Sequence, residues 1–160
     1  MIRKLTVFLL IVPMVVMAGL EVKKEKQNVV AGRLTGKWQT QTDLTAQLNG
    51  TPVYESTYTF KEDSSIADKV PEAIAAFLTG KQIYLAGIMT HLDKNYPFIL
   101  TEFFGNPYLI YFRSKGNDPM GDTESFNLIL APAADPRNDL LFIGGDFNNQ
   151  PFRAFMRVEE

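Results

Sequence analysis

Leu34-Thr35-Gly36-Lys37-Trp38-Gln39-Thr40 marks the point where the chain turns into a strand pattern, and its only tryptophan stands two residues after a glycine. Working outward, the polar alternating run predicts a first strand from Leu34 to about Leu48, followed by Asn49-Gly50. That dipeptide between two strand-like runs predicts a type I′ hairpin, because both central residues of such a turn need positive φ and these two tolerate it. The second strand then runs from Pro52 to Lys61, with Tyr54, Ser56, Tyr58 and Phe60 on one face and Glu55, Thr57 and Thr59 on the other. A period of two with aromatic residues on one side predicts burial of that side.

Beyond this hairpin, Glu62-Asp63-Ser64-Ser65 breaks the pattern, and Pro71 opens the one stretch read as a helix, Pro71 to Leu78, ended near Gly80. Proline and an acid at the first turn and a glycine at the end are helix boundary signals. Strands follow at Lys81–Met89, Pro97–Phe104, Tyr108–Arg113, Glu124–Ala131, Leu140–Gly145 and Pro151–Val158, with a tight turn at Gly105-Asn106-Pro107. Eight short strands joined by turns rich in Gly, Asn, Asp and Pro predict an all-β, antiparallel barrel or sandwich with one short helix. Eight strands suit a small closed barrel, either filled by side chains or holding one small ligand.

The N-terminus reads as something else. Arg3 and Lys4 precede an apolar run from Leu5 to Val16, followed by Met17-Ala18-Gly19. A positive start, a short apolar run and a small residue at its end predict a secretory signal at residues 1–18, cut after Ala18, with an uncleaved anchor as the alternative. Residues 19–31, with Lys23-Lys24-Glu25-Lys26, read as a polar linker that could also touch an anionic membrane surface, and residues 32–160 read as the barrel domain. The expected location is outside the cytoplasm, periplasmic or extracellular. No integral membrane span is expected once the signal is removed.

Composition narrows the classes. The chain has 160 residues, no cysteine and a net charge of −2. Loss of residues 1–18 removes two cations and no acid, so the remaining chain carries −4. A mildly acidic chain has no electrostatic footprint for nucleic acid, and a chain without cysteine has no disulfides and must be held by its core.

The ends of the barrel domain bear a resemblance. Gly36-Lys37-Trp38 resembles the Gly-X-Trp of the first strand in the lipocalin-like (calycin-type) β-barrels. The resemblance implies that Trp38 closes the bottom of the barrel and that an arginine of the last strand, Arg153 or Arg157, packs across it. Arg157, nearer the chain end, is the one placed over Trp38, so that Gly36, Trp38 and Arg157 form a structural latch. Two features depart from the family pattern: a tight first turn at Asn49-Gly50, and a helix ahead of the third strand.

The lipocalin-like reading implies a cavity for a small hydrophobic or amphipathic molecule. Aromatic density on the strands supports a cavity or a solid aromatic core equally, since both have the same alternation. Tyr58, Tyr84, Tyr108 and Tyr111 are the candidate ligand-binding residues, because hydroxyls on apolar walls orient a ligand. Arg153, on the same face as Phe155, is the candidate for an anionic head group. Strands between Pro97 and Phe112 are apolar on both faces, so the helix, a second subunit or a protein partner must cover the outside. That surface supports the other function class, an envelope interaction or structural protein with a filled barrel.

Catalysis and metals have little support. His91 is the only histidine, read as a surface residue in a loop beside Asp93. With no cysteine, no catalytic residue, metal site or cofactor is assigned. The acidic loops 116–122 and 135–139 read as turns rather than calcium loops, and Gly144-Gly145-Asp146 with Asn148-Asn149 reads as the last hairpin.

Overall fold

The computed structural model describes residues 27–144 and 152–158, so the signal and most of the last predicted hairpin turn lie outside the described residues. Eight antiparallel strands close into one barrel: β1 Gly36–Thr40, β2 Thr57–Glu62, β3 Leu85–His91, β4 Lys94–Phe103, β5 Asn106–Lys115, β6 Asp118–Ala131, β7 Leu140–Gly144 and β8 Arg153–Val158. Each strand pairs with the next in sequence, and β8 pairs with β1. Closure leaves no sheet edge exposed. This architecture is consistent with a calycin-like fold.

One end of the barrel is plugged. A helix over residues 27–34, α1, lies before β1 and buries Val30 and Leu34 in the interior cluster. The linker reading of residues 19–31 is described only from residue 27, and there the chain is helical. Val30 and Leu34, four residues apart, lie on one helix face and meet Trp38, Phe98, Leu100 and Leu128 inside the barrel. Gln27 reaches across this end and donates from Nε2 to the Gly105 carbonyl at 3.1 Å, in the turn between β4 and β5.

The first connection differs from the sequence reading. The first strand ends at Thr40, not Leu48, and Thr42–Asn49 is a helix, α2. Gly50 is its C-cap at φ 69°, with its N–H bonded to the Ala46 carbonyl, so Asn49-Gly50 ends a helix and makes no hairpin. Positive φ at an Asn-Gly step serves a left-handed helix cap as well as a type I′ turn. Tertiary bonds fix the choice. Thr45 accepts from the Ala154 N–H at 3.0 Å, and Asn49 donates to the Phe152 carbonyl at 3.1 Å, both on the approach to or along β8. The β1–β2 connection is therefore long and helical, and the tight first turn noted above does not exist. Tyr54 stands exposed within this connection, because β2 begins only at Thr57.

Between β2 and β3, a 3₁₀ segment (Ser64–Lys69) and a third helix, α3 (Glu72–Phe77), lie on the outside of the barrel. Ile66 and Leu78 pack there on Ala86, Ile99, Ile110 and Phe112, a second apolar cluster separate from the interior. The two-faced apolar strands are thus covered by this chain's own residues 64–78. Two of the hairpins place both central residues at positive φ, Leu92-Asp93 and Phe104-Gly105. The turn read at Gly105-Asn106-Pro107 falls one residue earlier, with Asn106 and Pro107 already in β5.

Candidate functional site

Two constellations lie inside the barrel, one centred on Arg157 at the plugged end and one of aromatic rings towards the other end, and they adjoin where Trp38 lies opposite Tyr58 in the β1–β2 register. At the plugged end, Trp38 lies opposite Arg157 in the β1–β8 register. The Arg157 guanidinium sits 4.5 Å from the Trp38 ring centre. Its Nη1 donates to the Thr35 carbonyl at 2.6 Å, its Nη2 to the Arg33 carbonyl and its Nε to the Pro136 carbonyl at 3.2 Å. The Trp38 indole N–H donates to the Leu34 carbonyl at 2.8 Å. A cation at the last carbonyls of α1 suits the negative end of a helix. Gly36 adopts φ 117°, and a Cβ there would lie 2.6 Å from Nη1, so only glycine leaves room for the guanidinium.

Behind this group, Asp139 is fully buried and accepts from Arg33 Nη1 at 3.0 Å and from the Ala133 N–H at 2.8 Å. Its second oxygen lies 4.0 Å from Arg157 Nη2. The network joins the first strand, the last strand, α1 and the β6–β7 connection. Among the described residues, Asp139 Oδ2 is buried without a hydrogen-bond partner, and the nearby charge of Arg157 is what offsets its burial.

At the opposite end, which the described residues leave open, the inward side chains are aromatic: Tyr58, His91, Tyr96 and Tyr111 are half-buried, whereas Phe126 and Phe155 are buried. Tyr58 of β2 stacks on His91 of β3, with ring centres 4.0 Å apart and planes 4° from parallel. Edge contacts join Tyr58 to Phe155 of β8 at 5.3 Å and to Phe126 of β6 at 6.3 Å. Phe126 meets Tyr111 of β5 at 5.6 Å, and Tyr111 meets Tyr96 of β4 at 5.5 Å. Six strands therefore contribute one ring each to a continuous aromatic collar. Towards the plugged end, Phe60, Phe98, Leu109 and Leu128 are wholly buried in the interior cluster beneath it.

Charge is concentrated on one side of the collar. Tyr111 donates its hydroxyl to Glu124, which pairs with Arg113 at 2.5 Å, and Arg113 lies 3.9 Å from Asp122. Burial, followed by the bond to Glu124, pushes the Tyr111 hydroxyl well above the usual tyrosine range. Burial raises Tyr58 in the same direction, partly opposed by the nearby charge of Arg153. Both hydroxyls are thus held as neutral donors at ordinary pH. The His91 ring also meets the Thr57 carbonyl through Nδ1 at 3.1 Å.

Of the residues named from sequence for ligand binding, the fold gathers Tyr58 and Tyr111 at the open end, with Arg153 exposed at the start of β8 on the same side as Tyr58. Tyr84 lies elsewhere. It precedes β3, and its N–H bonds to the Leu100 carbonyl. Burial and Glu102 raise its hydroxyl pKa. Tyr108 is on the outer face of β5, 2.5 Å from the Ser125 hydroxyl, because it alternates with the inward Leu109 and Tyr111. It lines an open groove of about 280 Å³ between α3 and strands β5 and β6, together with Ile74, Phe77 and Ile110.

His91 corrects the loop reading, being the last residue of β3 and half-buried under Tyr58. Sequence reasoning missed His91, Tyr96, Phe126 and Glu124 as members of one group. Reading Leu92-Asp93 as a two-residue turn would have extended both flanking strands and placed His91 and Tyr96 on them. Among the described residues, no three metal-ligating side chains cluster, and no helix is long and apolar enough to cross a membrane. Comparisons with protein-family models, curated proteins and solved structures found no match for this chain.

Proposed function

We propose that this is an exported, non-catalytic, lipocalin-like protein that binds a small amphipathic molecule at the open end of its barrel. Export rests on the sequence of residues 1–18. The observation that carries the binding reading is the aromatic collar. Half-buried Tyr58, His91, Tyr96 and Tyr111 converge with buried Phe126 and Phe155, above a layer of wholly buried side chains.

Half-buried rings with neutral hydroxyls make a shallow apolar cup whose few donors orient a guest. The packed layer beneath limits the guest to one that rests in the mouth of the barrel, an alkyl or aromatic body with a polar head left at the rim. Arg113 is already paired with Glu124, which leaves Arg153 as the cation for an anionic head group. A protein-partner surface around residues 97–112 has less support, because residues 64–78 cover most of that outer face.

Titration of the full-length protein with a dansyl-labelled fatty acid tests the reading. Saturable enhancement at one probe per chain, weakened about tenfold or more by Tyr58→Ala, is the expected result, since loss of an aromatic contact together with its buried area exceeds about 1.4 kcal/mol. Absence of saturable uptake, or uptake indifferent to Tyr58→Ala and Tyr111→Ala, overturns it.

A further inference from the structure

His91 is the chain's only histidine, and it sits half-buried in the collar. It pairs with Tyr58 in the β2–β3 register, so both side chains lie on the inner face, and their rings stack at 4.0 Å. The hydrogen bond to the Thr57 carbonyl at 3.1 Å requires a proton on Nδ1, because a carbonyl only accepts. That bond fixes the tautomer. Nε2 is then the ring atom that gains or loses a proton.

Charges around this ring are divided across the open end. Lys94 lies directly opposite His91 in the β3–β4 register and so shares its face of the sheet. Arg153 lies opposite the inward Ile143 in the β7–β8 register, and its charge is felt by Tyr58. Asp93 stands in the turn that joins β3 to β4, and Tyr96 is the next inward residue of β4. Glu55, before β2, is turned to Gln39 of β1. The acids Asp122 and Glu124 belong to the β5–β6 side, where Arg113 pairs with them. The side formed by β2, β3, β4 and β8 therefore presents Lys94, Arg153 and the imidazole.

We infer that His91 makes binding at the collar proton-linked and selects a guest with a strong-acid anionic head group, seated among Lys94, Arg153 and the imidazolium. This rests on the ligand reading of the open end and adds the chemistry of the head group and its control. Histidine is the only side-chain type whose ordinary pKa lies between about pH 5 and 8, so the rim gains a positive charge in that interval. Cations gathered at one rim repel one another. An anion among them relieves that repulsion, whereas a neutral head group does not. Charging leaves the collar intact, because a cation over the tyrosine face is itself attracted to the ring. Affinity for the anion should rise about fivefold on protonation, the factor that one opposite charge about 4 Å away supplies even at the dielectric of water. By reciprocity, the bound anion raises the imidazole pKa by about 0.7.

A single histidine makes the test direct, since its imidazole C–H resonances are the only ones of their kind in the full chain. Proton NMR follows them from about pH 5 to 8 alone, with decane-1-sulfonate, which stays anionic throughout, and with decyl maltoside, which is neutral. Saturating sulfonate is expected to raise the His91 midpoint by about 0.7, and the maltoside to leave it in place. Calorimetry should show severalfold tighter sulfonate binding at about pH 6 than at about pH 8, and His91→Gln should remove that difference. His91→Arg should remove it too, while binding the sulfonate more tightly than His91→Gln at the higher pH. An unmoved midpoint in saturating sulfonate, an equal rise with the maltoside, or pH dependence retained in His91→Gln overturns the inference alone. Binding of neither guest at either pH overturns the ligand reading and the inference with it.

Discussion

Replacing Arg157 by lysine keeps the charge over Trp38 and removes the fork. In the native protein the guanidinium serves three carbonyls on two separate segments, Arg33 and Thr35 at the end of α1 and Pro136 in the β6–β7 connection. A lysine ammonium is a compact charge on a flexible stem and can satisfy one of them in good geometry. Two charge-assisted hydrogen bonds are then lost, each contributing about 1.5–3 kcal/mol. The Arg157 side chain is 18% exposed, so water recovers part of that loss, and a net cost of about 2–4 kcal/mol is expected. Against a total stability of about 5–15 kcal/mol this is a large fraction. Trp38 provides the assay, because it is the only tryptophan, is fully buried and lies under the substituted group. Urea unfolding followed by its emission gives the change in stability, and acrylamide quenching of the native state reports whether the plugged end has opened. A loss below about 0.5 kcal/mol with unchanged quenching would refute the claim that the fork, rather than the charge, joins the chain ends.

Trp38→Ala should cost about 3–5 kcal/mol in chemical denaturation, because the ring is fully buried in the interior cluster. Phe104→Asn should leave stability unchanged or raise it by up to about 1 kcal/mol, as read by the urea midpoint, because the left-handed turn position accepts asparagine. The raised hydroxyls of Tyr58, Tyr84 and Tyr111 set an alkaline limit. The native state keeps protons that the unfolded chain releases near pH 10, so their contribution is intact below about pH 10 and is lost as pH rises through their higher native values. Absorbance at 295 nm should show these tyrosines ionising later in native protein than in urea, and superimposable titrations would contradict the burial described for them.

The strand content was legible because alternation is a local signal. All eight strands were readable as alternating or apolar runs between turn residues, and their order in the barrel follows from short connections between neighbours. Thr42–Asn49 was not, because its polar sequence has no clear apolar stripe and its helix is fixed by Thr45 and Asn49 meeting β8 more than a hundred residues away. Residues 27–34 hid behind the lysines before them, although Val30 and Leu34 at a spacing of four were a usable sign of a helix face. At the plugged end, Gly36, Trp38 and Arg157 could be named together from the two chain ends, but which carbonyls the arginine serves required the fold. The collar was only half readable. Tyr58 and Tyr111 follow from strand parity, and the same parity puts Tyr108 on the outer face, away from the collar, whereas His91 and Tyr96 were lost with the turn at Leu92-Asp93.

The claim that the open end receives an amphipathic guest is tested most directly by residue-resolved NMR of the full chain titrated with decanoate. Saturable shifts confined to Tyr58, His91, Tyr96, Tyr111 and Phe126, with the Trp38 indole N–H resonance unmoved, are the predicted result. No saturable shift, or shifts centred on Ile74, Phe77 and Tyr108 in the outer groove, would contradict it.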